Sequence, residues 1–295
     1  MNNSYKYFSR YRFSKIPRSI INRVNHFYAR KNLKRGAPQV AVFAFDHIGL
    51  DINNYGIYEE DILDAITSFL SDSLGTFKYE TILDIGANIG NHSLYFQKVS
   101  KKIYAFEPNP KTFELLKFNT RNHEDIHLYN LGLSNVTGQE NLNELPANIG
   151  ASYINPSNNL KDNLIHKINI SKLDDLNELN QEKISILKID VEGYEWEVID
   201  GGRNLINKNK PIIIFEHNTE PKVDKALDLE QFLKEEEYEL FKIFKNFDYL
   251  SNFFLKALGA LMRLFLGDKL VISKIDSLPT KKYSSFPLII AIPKK

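Results

Sequence analysis

The sequence predicts an α/β protein with a Rossmann-like fold: a mostly parallel central sheet flanked by helices, with an N-terminal extension and a C-terminal helical insertion. Three observations predict it. Apolar runs of strand length alternate with segments of helical period from residue 81 onward. The first run ends in a glycine turn that opens a helix, Asp84-Ile85-Gly86-Ala87-Asn88-Ile89-Gly90. The second ends in an acid, Glu107, followed by Pro108. Strand, helix and strand at this spacing call for parallel strands joined by right-handed crossovers.

Taken in order, residues 1–45 form a basic aromatic arm with no Asp or Glu but ten Lys or Arg. Tyr5, Tyr7, Phe8, Tyr11, Phe13, Phe27 and Tyr28 are interleaved with them. Such an arm can lie on an anionic membrane or pack on the domain as a helix. Residues 40–52 read as a small strand pair. Ile62, Leu63, Ile66, Phe69 and Leu70 recur at helical spacing up to Gly75. The series then runs strand 81–85, helix 91–99, strand 102–106, helix 110–122 with Pro110 in its first turn, and strand 126–131. Residues 135–178 break the rhythm as an insertion over the sheet's C-terminal edge, with short strands at 136–142 and 165–170. The rhythm resumes with strand 184–189, helix 194–206, strand 211–215, helix 226–237 and a last strand at 286–292. The domain is thus 46–295, with a core at 78–220 and a C-terminal segment at 221–295. Within that segment 253–266 is apolar, interrupted by Lys256 and Arg263, and reads as an interfacial helix, a lid, a dimer contact or a buried helix.

Composition narrows the function classes. The 295 residues are 43% hydrophobic and 25% charged, as in globular proteins, and a net charge of +1 gives no pointer to nucleic acid. With no cysteine, a disulfide framework, a thiolate zinc site and a Cys nucleophile are excluded. No apolar run reaches the roughly 20 residues that span a bilayer, and no signal-peptide core stands at the start. The expected location is cytoplasmic, with peripheral contact at the inner membrane face through the arm.

The glycine turn sits where a βαβ unit meets a ligand. Gly86 permits a tight turn and close approach, and Gly90 lets the helix pack closely. Glu107 lies 21 residues beyond Gly86, near the spacing at which a carboxylate reaches a ribose diol. The spacing G-x-x-x-G is not that of a dinucleotide fingerprint. Asp84 before it would repel a pyrophosphate, but suits the ammonium and sulfonium end of S-adenosylmethionine. The sign of that charge favours a methyltransferase over a nicotinamide dehydrogenase.

At this point the sequence resembles the FkbM-type methyltransferases. The matching pieces are Gly56-Ile57-Tyr58-Glu59, the turn from Leu83 to Gly90, Phe106-Glu107-Pro108, and Leu187-Lys188-Ile189-Asp190-Val191-Glu192-Gly193-Tyr194-Glu195 with Gly201 following. The resemblance implies a Class I methyltransferase fold, S-adenosylmethionine as donor, and O-methylation of sugars, glycans or polyketide-derived hydroxyls. It also implies cofactor contacts from Asp84, Gly86, Ala87, Asn88, Gly90 and Glu107, joined by Tyr58 and Glu59. Gly132 and Asn135 depart from the family's usual small-Leu-Ser-Asp run.

Methyl transfer to a hydroxyl needs alignment and a general base. Asp190 and Glu192 follow one strand, sharing a face if it continues; Glu216 and His217 follow the next. His217 has the pKa suited to a base, with Asp190 or Glu216 to orient it. Lys188 either neutralises these acids or pairs with Glu195 at the helix start. The same acids with His217 are also a set of donors for a divalent metal, the less favoured use. His47, His92, His123 and His127 read as structural, and His166 as a secondary base. The leading function is O-methylation of a sugar, glycan or glycolipid precursor. Methylation of a small-molecule hydroxyl or amine comes second, and a noncatalytic adenosyl-binding protein third.

Overall fold

The computed structural model describes residues 15–44, 46–75, 78–145, 148–154, 164–217, 223–245, 269–279 and 288–294. Three helices precede the sheet: α1 (Lys15–Lys34), α2 (His47–Tyr55) and α3 (Glu60–Leu74). The expected strand pair at 40–52 is instead the approach to α2. Ile48 and Ile52 stand one helical turn apart and bury a single face against Ile89. Gly56, in a positive-φ conformation, ends α2 by donating its N–H to the Ile52 carbonyl.

The alternation that follows is β1 (Tyr79–Ile85), α4 (Asn91–Phe96), β2 (Ser100–Phe106), α5 (Pro110–Thr120) and β3 (Ile126–Tyr129). Next come β4 (Gly132–Leu133), β5 (Gly138–Leu145), β6 (Asn148–Ile154) and β7 (Leu164–Ser171), which form a separate sheet in the order β4-β7-β5-β6. The main series returns with β8 (Ile184–Ile189), α6 (Glu195–Asp200), α7 (Arg203–Asn209), β9 (Ile212–Glu216) and α8 (Val223–Glu235). β10 (Tyr238–Lys245), β11 (Leu270–Ile275) and β12 (Leu288–Pro293) complete it. The central sheet runs β11-β10-β12-β9-β8-β1-β2-β3. β3, β2, β1, β8 and β9 are mutually parallel, whereas β12 is antiparallel to both β9 and β10. This is the Rossmann-like sheet expected from the sequence, with β12 inserted between β9 and β10. The expected apolar segment 253–266 and the first 14 residues of the arm lie outside the described residues.

Side-chain alternation builds two cores. Leu83, Ile85, Leu187, Ile189, Ile213 and Phe215 face α6, α7 and α8. Ile82, Ile103, Ala105, Ile186 and Ile214 face α3, α4 and α5. The helix expected over 194–206 is broken into α6 and α7 at Gly201-Gly202. A Cβ on Gly201 would lie 2.0 Å from the Ser134 carbonyl oxygen, and one on Gly202 2.7 Å from Leu173 Cδ2. The two ends of the insertion therefore press directly on the helix backbone there.

The order reverses at β1, which has β2 on one side and β8 on the other. Their carboxyl ends diverge into a crevice, the position at which such sheets bind ligands.

Candidate active site

That crevice is a cavity walled by the ends of β1, β2 and β8, with Leu142 of β5 on the insertion side. Gly86 and Asn88 line it from the glycine turn, Glu107 and Pro108 from beyond β2, and Asp190 and Glu192 from beyond β8. The remaining wall is largely apolar, with Phe106, Leu131 and Leu133.

Glu107 is buried, and each carboxylate oxygen accepts one backbone amide: Asn88 N–H at 2.9 Å on Oε2, Asn109 N–H at 2.8 Å on Oε1. Burial pushes its carboxyl up to about 7 although the two amides pull the other way. Each oxygen keeps a second lone pair for a ligand hydroxyl. Thr112, at 2% exposure, lines the same wall from α5, and its Oγ1 has no hydrogen-bond partner among the described residues. An orphaned buried hydroxyl beside an amide-held carboxylate fits a polyhydroxylated ligand such as a nucleoside.

The glycine turn works differently from the sequence expectation. Its amides do not point at a ligand: Gly86 and Ala87 N–H both donate to the Phe106 carbonyl at 3.0 and 2.9 Å. Gly86 is required because a Cβ there would lie 1.8 Å from the Asp190 carbonyl oxygen, and because its φ is +74°. Ala87 is buried in the core. Gly90 serves α5, where a Cβ would lie 2.8 Å from Leu116 Cδ1.

Asp84 is fully buried and absent from the cavity wall. Its Oδ2 accepts Ser93 Oγ–H at 2.6 Å and its Oδ1 lies 2.9 Å from Lys188 Nζ. Burial alone would raise this carboxyl; Lys188, His92 and Ser93 hold it below its ordinary value. Lys188 also reaches Asp190 at 3.4 Å and donates to the Gly86 carbonyl at 3.0 Å. Of its two expected uses, neutralising acids is the one seen; Glu195 instead accepts the Gly193 N–H at 2.9 Å. Lys188 thereby ties β1, the glycine turn and the β8 end into one unit.

A second, open groove runs from α1 and α2 to the ends of β9 and β10. Tyr28, Tyr55, Tyr58 and Phe244 line it, as do Asp51, Glu59 and Glu216. Tyr58 and Glu59, expected at the donor, stand in this groove rather than in the cavity. Asn91 fixes them: its Oδ1 accepts Tyr58 N–H at 3.0 Å and its Nδ2 donates to the Tyr58 carbonyl at 2.9 Å. His92, read as structural, stacks on Tyr58 and sits 3.5 Å from Glu59 Oε2.

Ile189 of β8 pairs with Phe215 of β9, so Asp190 on the cavity and Glu216 on the groove follow neighbouring strand ends. Burial, then the charges of Asp190, Glu59 and Glu192, push Glu216 up to about 8. Burial, then Asp190, push Glu192 up to about 7. Glu192 and Gly193 have φ of +49° and +88°, so β8 does not continue and the expected shared strand face is a turn. His217 is not brought to this cluster. It is buried with Nε2 3.0 Å from the Pro279 carbonyl, and burial lowers its pKa. It follows Glu216 directly, and alternation sends the two side chains apart. Among the described residues no group of three or more His, Asp or Glu is placed to hold a metal ion.

The Methyltransferase FkbM domain matches residues 84–240, from Asp84 of β1 to Leu240 of β10. The chain belongs to the FkbM methyltransferase family. Hexuronic acid methyltransferase AglP of Haloferax volcanii is 30% identical over 139 residues, 47% of this chain and 56% of AglP. Methyltransferase sdnD of Sordaria araneosa is 29% identical over 153 residues, 41% of this chain and 59% of sdnD. 2-O-methyltransferase NoeI of Sinorhizobium fredii is 26% identical over 147 residues, 44% of this chain and 60% of NoeI. The chain thus spans between 56% and 60% of the length of these relatives. The FkbM domain here is an S-adenosylmethionine-dependent methyltransferase domain. The amide-held Glu107, the orphaned Thr112 hydroxyl and the apolar wall fit that donor's nucleoside.

Proposed function

We propose that this FkbM protein methylates a hydroxyl of a saccharide held in the open groove. The observation that carries the reading is the pairing of the β8 and β9 ends, which sets Asp190 of the cavity beside Glu216 of a groove edged with tyrosines and carboxylates. Aromatic faces and carboxylates together suit sugar rings, whose C–H faces are apolar and whose hydroxyls donate. The names of AglP and NoeI, which specify a hexuronic acid and a 2-O position, support a sugar acceptor.

Glu107 and Thr112 would hold the nucleoside end of the donor, and Asp190 with Glu192 its charged end. When bound, S-adenosylmethionine supplies an electrophilic methyl group on a sulfonium sulfur. The chain's own part is alignment and proton transfer. Alignment of this kind contributes about 7–11 kcal/mol. Glu216 takes the place first assigned to His217: it lines the groove, adjoins Asp190, and its carboxyl titrates near neutrality. It accepts the hydroxyl proton as the oxygen is methylated.

A second reading, methylation of an amine, draws on the groove's excess of acids over Lys31, Arg35 and Lys245. Incubation with methyl-labelled donor and a panel of neutral, uronic and amino sugars separates the two, since the labelled product is an ether or a methylamine. Glu216→Gln is expected to lower kcat about 10²–10⁴-fold while leaving S-adenosylhomocysteine binding intact. Undiminished kcat would remove Glu216 as the base.

A further inference from the structure

α1 is amphipathic in an unusual way: its apolar face is exposed. Ile16, Ile20, Val24 and Phe27 follow the helical period along one face, flanked by Ile21 and Tyr28. All six are exposed, Ile16 at 76% and Phe27 at 66%. Every residue from 16 to 31 is exposed, and the helix is tied to the domain at its C-terminal end. There Asn32 Nδ2 donates to the Asn54 carbonyl at 3.0 Å, and Arg35 just beyond binds Glu60 and the Tyr55 carbonyl. Arg23 and Arg30 border that face, one helical turn from Phe27 on either side, Arg18 lies opposite it, and the helix contains no Asp or Glu.

We propose that α1 is an interfacial helix that seats the protein on an anionic lipid surface, with the open groove beside it. Three features choose this occupant. A solvated helix of this length, without a surface to pack on, is marginal in water, so a covering phase is called for. An apolar face bordered by arginines and free of acids matches the boundary between acyl chains and anionic headgroups. A second copy of α1 would bring like charges together, which weighs against a dimer through this face. Among the described residues no helix is long and apolar enough to cross a membrane, so the seat is a surface one. Tyr28 and Lys31 belong both to α1 and to the groove wall, so a seated helix places the groove mouth at the headgroups. Its opening then faces saccharides carried on lipid. The seat depends on α1 alone; that the groove takes an acceptor rests on the function proposed above.

The test is co-sedimentation of the full chain with phosphatidylcholine vesicles, with and without about one third phosphatidylglycerol. Partitioning onto the anionic vesicles is expected to be at least about tenfold stronger. Ile20→Glu with Phe27→Glu should cost about tenfold or more, and Arg23→Glu with Arg30→Glu should remove the anionic preference. Both pairs are solvent-exposed, so the melting temperature and S-adenosylhomocysteine binding should stay at wild-type values. Equal partitioning of wild type and the Ile20/Phe27 variant, or no anionic preference, overturns the proposal. So does a dimer, seen by sedimentation, that the Ile20/Phe27 variant dissociates, because the face then belongs to a second copy. Failure of any of these arms leaves donor binding unaffected and so is distinguishable from failure of the methyltransferase reading.

Discussion

At the scale of single residues, the buried pair of Asp84 and Lys188, with Asp190 beside it, holds the glycine turn to the β8 end. Asp84 stands where a donor-binding acid is expected, yet its carboxylate is taken up by Ser93 and Lys188 beneath the turn. Asp84→Ala leaves the buried Lys188 ammonium with the Gly86 carbonyl and the more distant, half-exposed Asp190 carboxylate at 3.4 Å. The expected loss of folding stability is about 3–5 kcal/mol, measured by denaturant unfolding, as for any half-removed buried ion pair. Replacing both groups, Asp84→Asn with Lys188→Met, should recover part of it; an unchanged midpoint in the single variant would show the pair to be dispensable. Glu107 and the β8 acids were legible in the sequence because position after a strand predicts them. Thr112 was not, since a threonine one turn into a helix carries no signal until the fold removes its partners. The placement of His217 was hidden for a related reason: its chemistry is visible in sequence, but the side to which alternation turns it is decided by packing against Pro279.

Elements show the same division. The strands β1, β2, β8 and β9 were legible because apolar runs buried on both faces stand out from helical segments. β10 was read through, because Glu239, Lys242 and Lys245 interrupt its run and its partners β11 and β12 come 25 or more residues later. The break between α6 and α7 was also hidden: Gly201 reads as a tolerated helix glycine until Ser134 is seen against it. Gly201→Ala decides between local preference and tertiary contact. Helix propensity alone predicts a gain of about 1 kcal/mol. A Cβ 2.0 Å from a backbone oxygen predicts instead a loss of about 2 kcal/mol or more, with the insertion displaced. A rise in melting temperature would contradict the account of this junction. The insertion itself is held onto α5 by Glu144, which is buried and accepts Asn109, Lys111 and His166 at 3.2, 2.8 and 2.9 Å. Those partners lie more than 20 residues away along the chain, beyond the reach of any local pattern.

The whole molecule carries the cost of gathering acids at one place. Glu107, Glu192 and Glu195 are each raised to about 7 and Glu216 to about 8, so the folded state holds their protons to higher pH than the unfolded chain. Their contribution to stability is present below the ordinary carboxylate range and is lost as pH rises through about 7 to 8. Asp84 and Glu59 are lowered, so their contribution is present at higher pH and is lost on strong acidification. The unliganded protein should therefore be most stable around pH 5 and soften steadily toward pH 9, measured as melting temperature against pH. Glu216→Gln should flatten the alkaline limb; parallel curves would show that Glu216 titrates normally.

The cavity between β1, β2 and β8 is the donor site we propose. Calorimetric titration with S-adenosylhomocysteine tests that claim most directly, using wild type and the Glu107→Gln and Thr112→Val variants. The account predicts saturable binding of one ligand per chain, weakened about 10–100-fold by Glu107→Gln and less by Thr112→Val. Absence of binding to wild type at millimolar ligand, or equal affinity in wild type and Glu107→Gln, would contradict it.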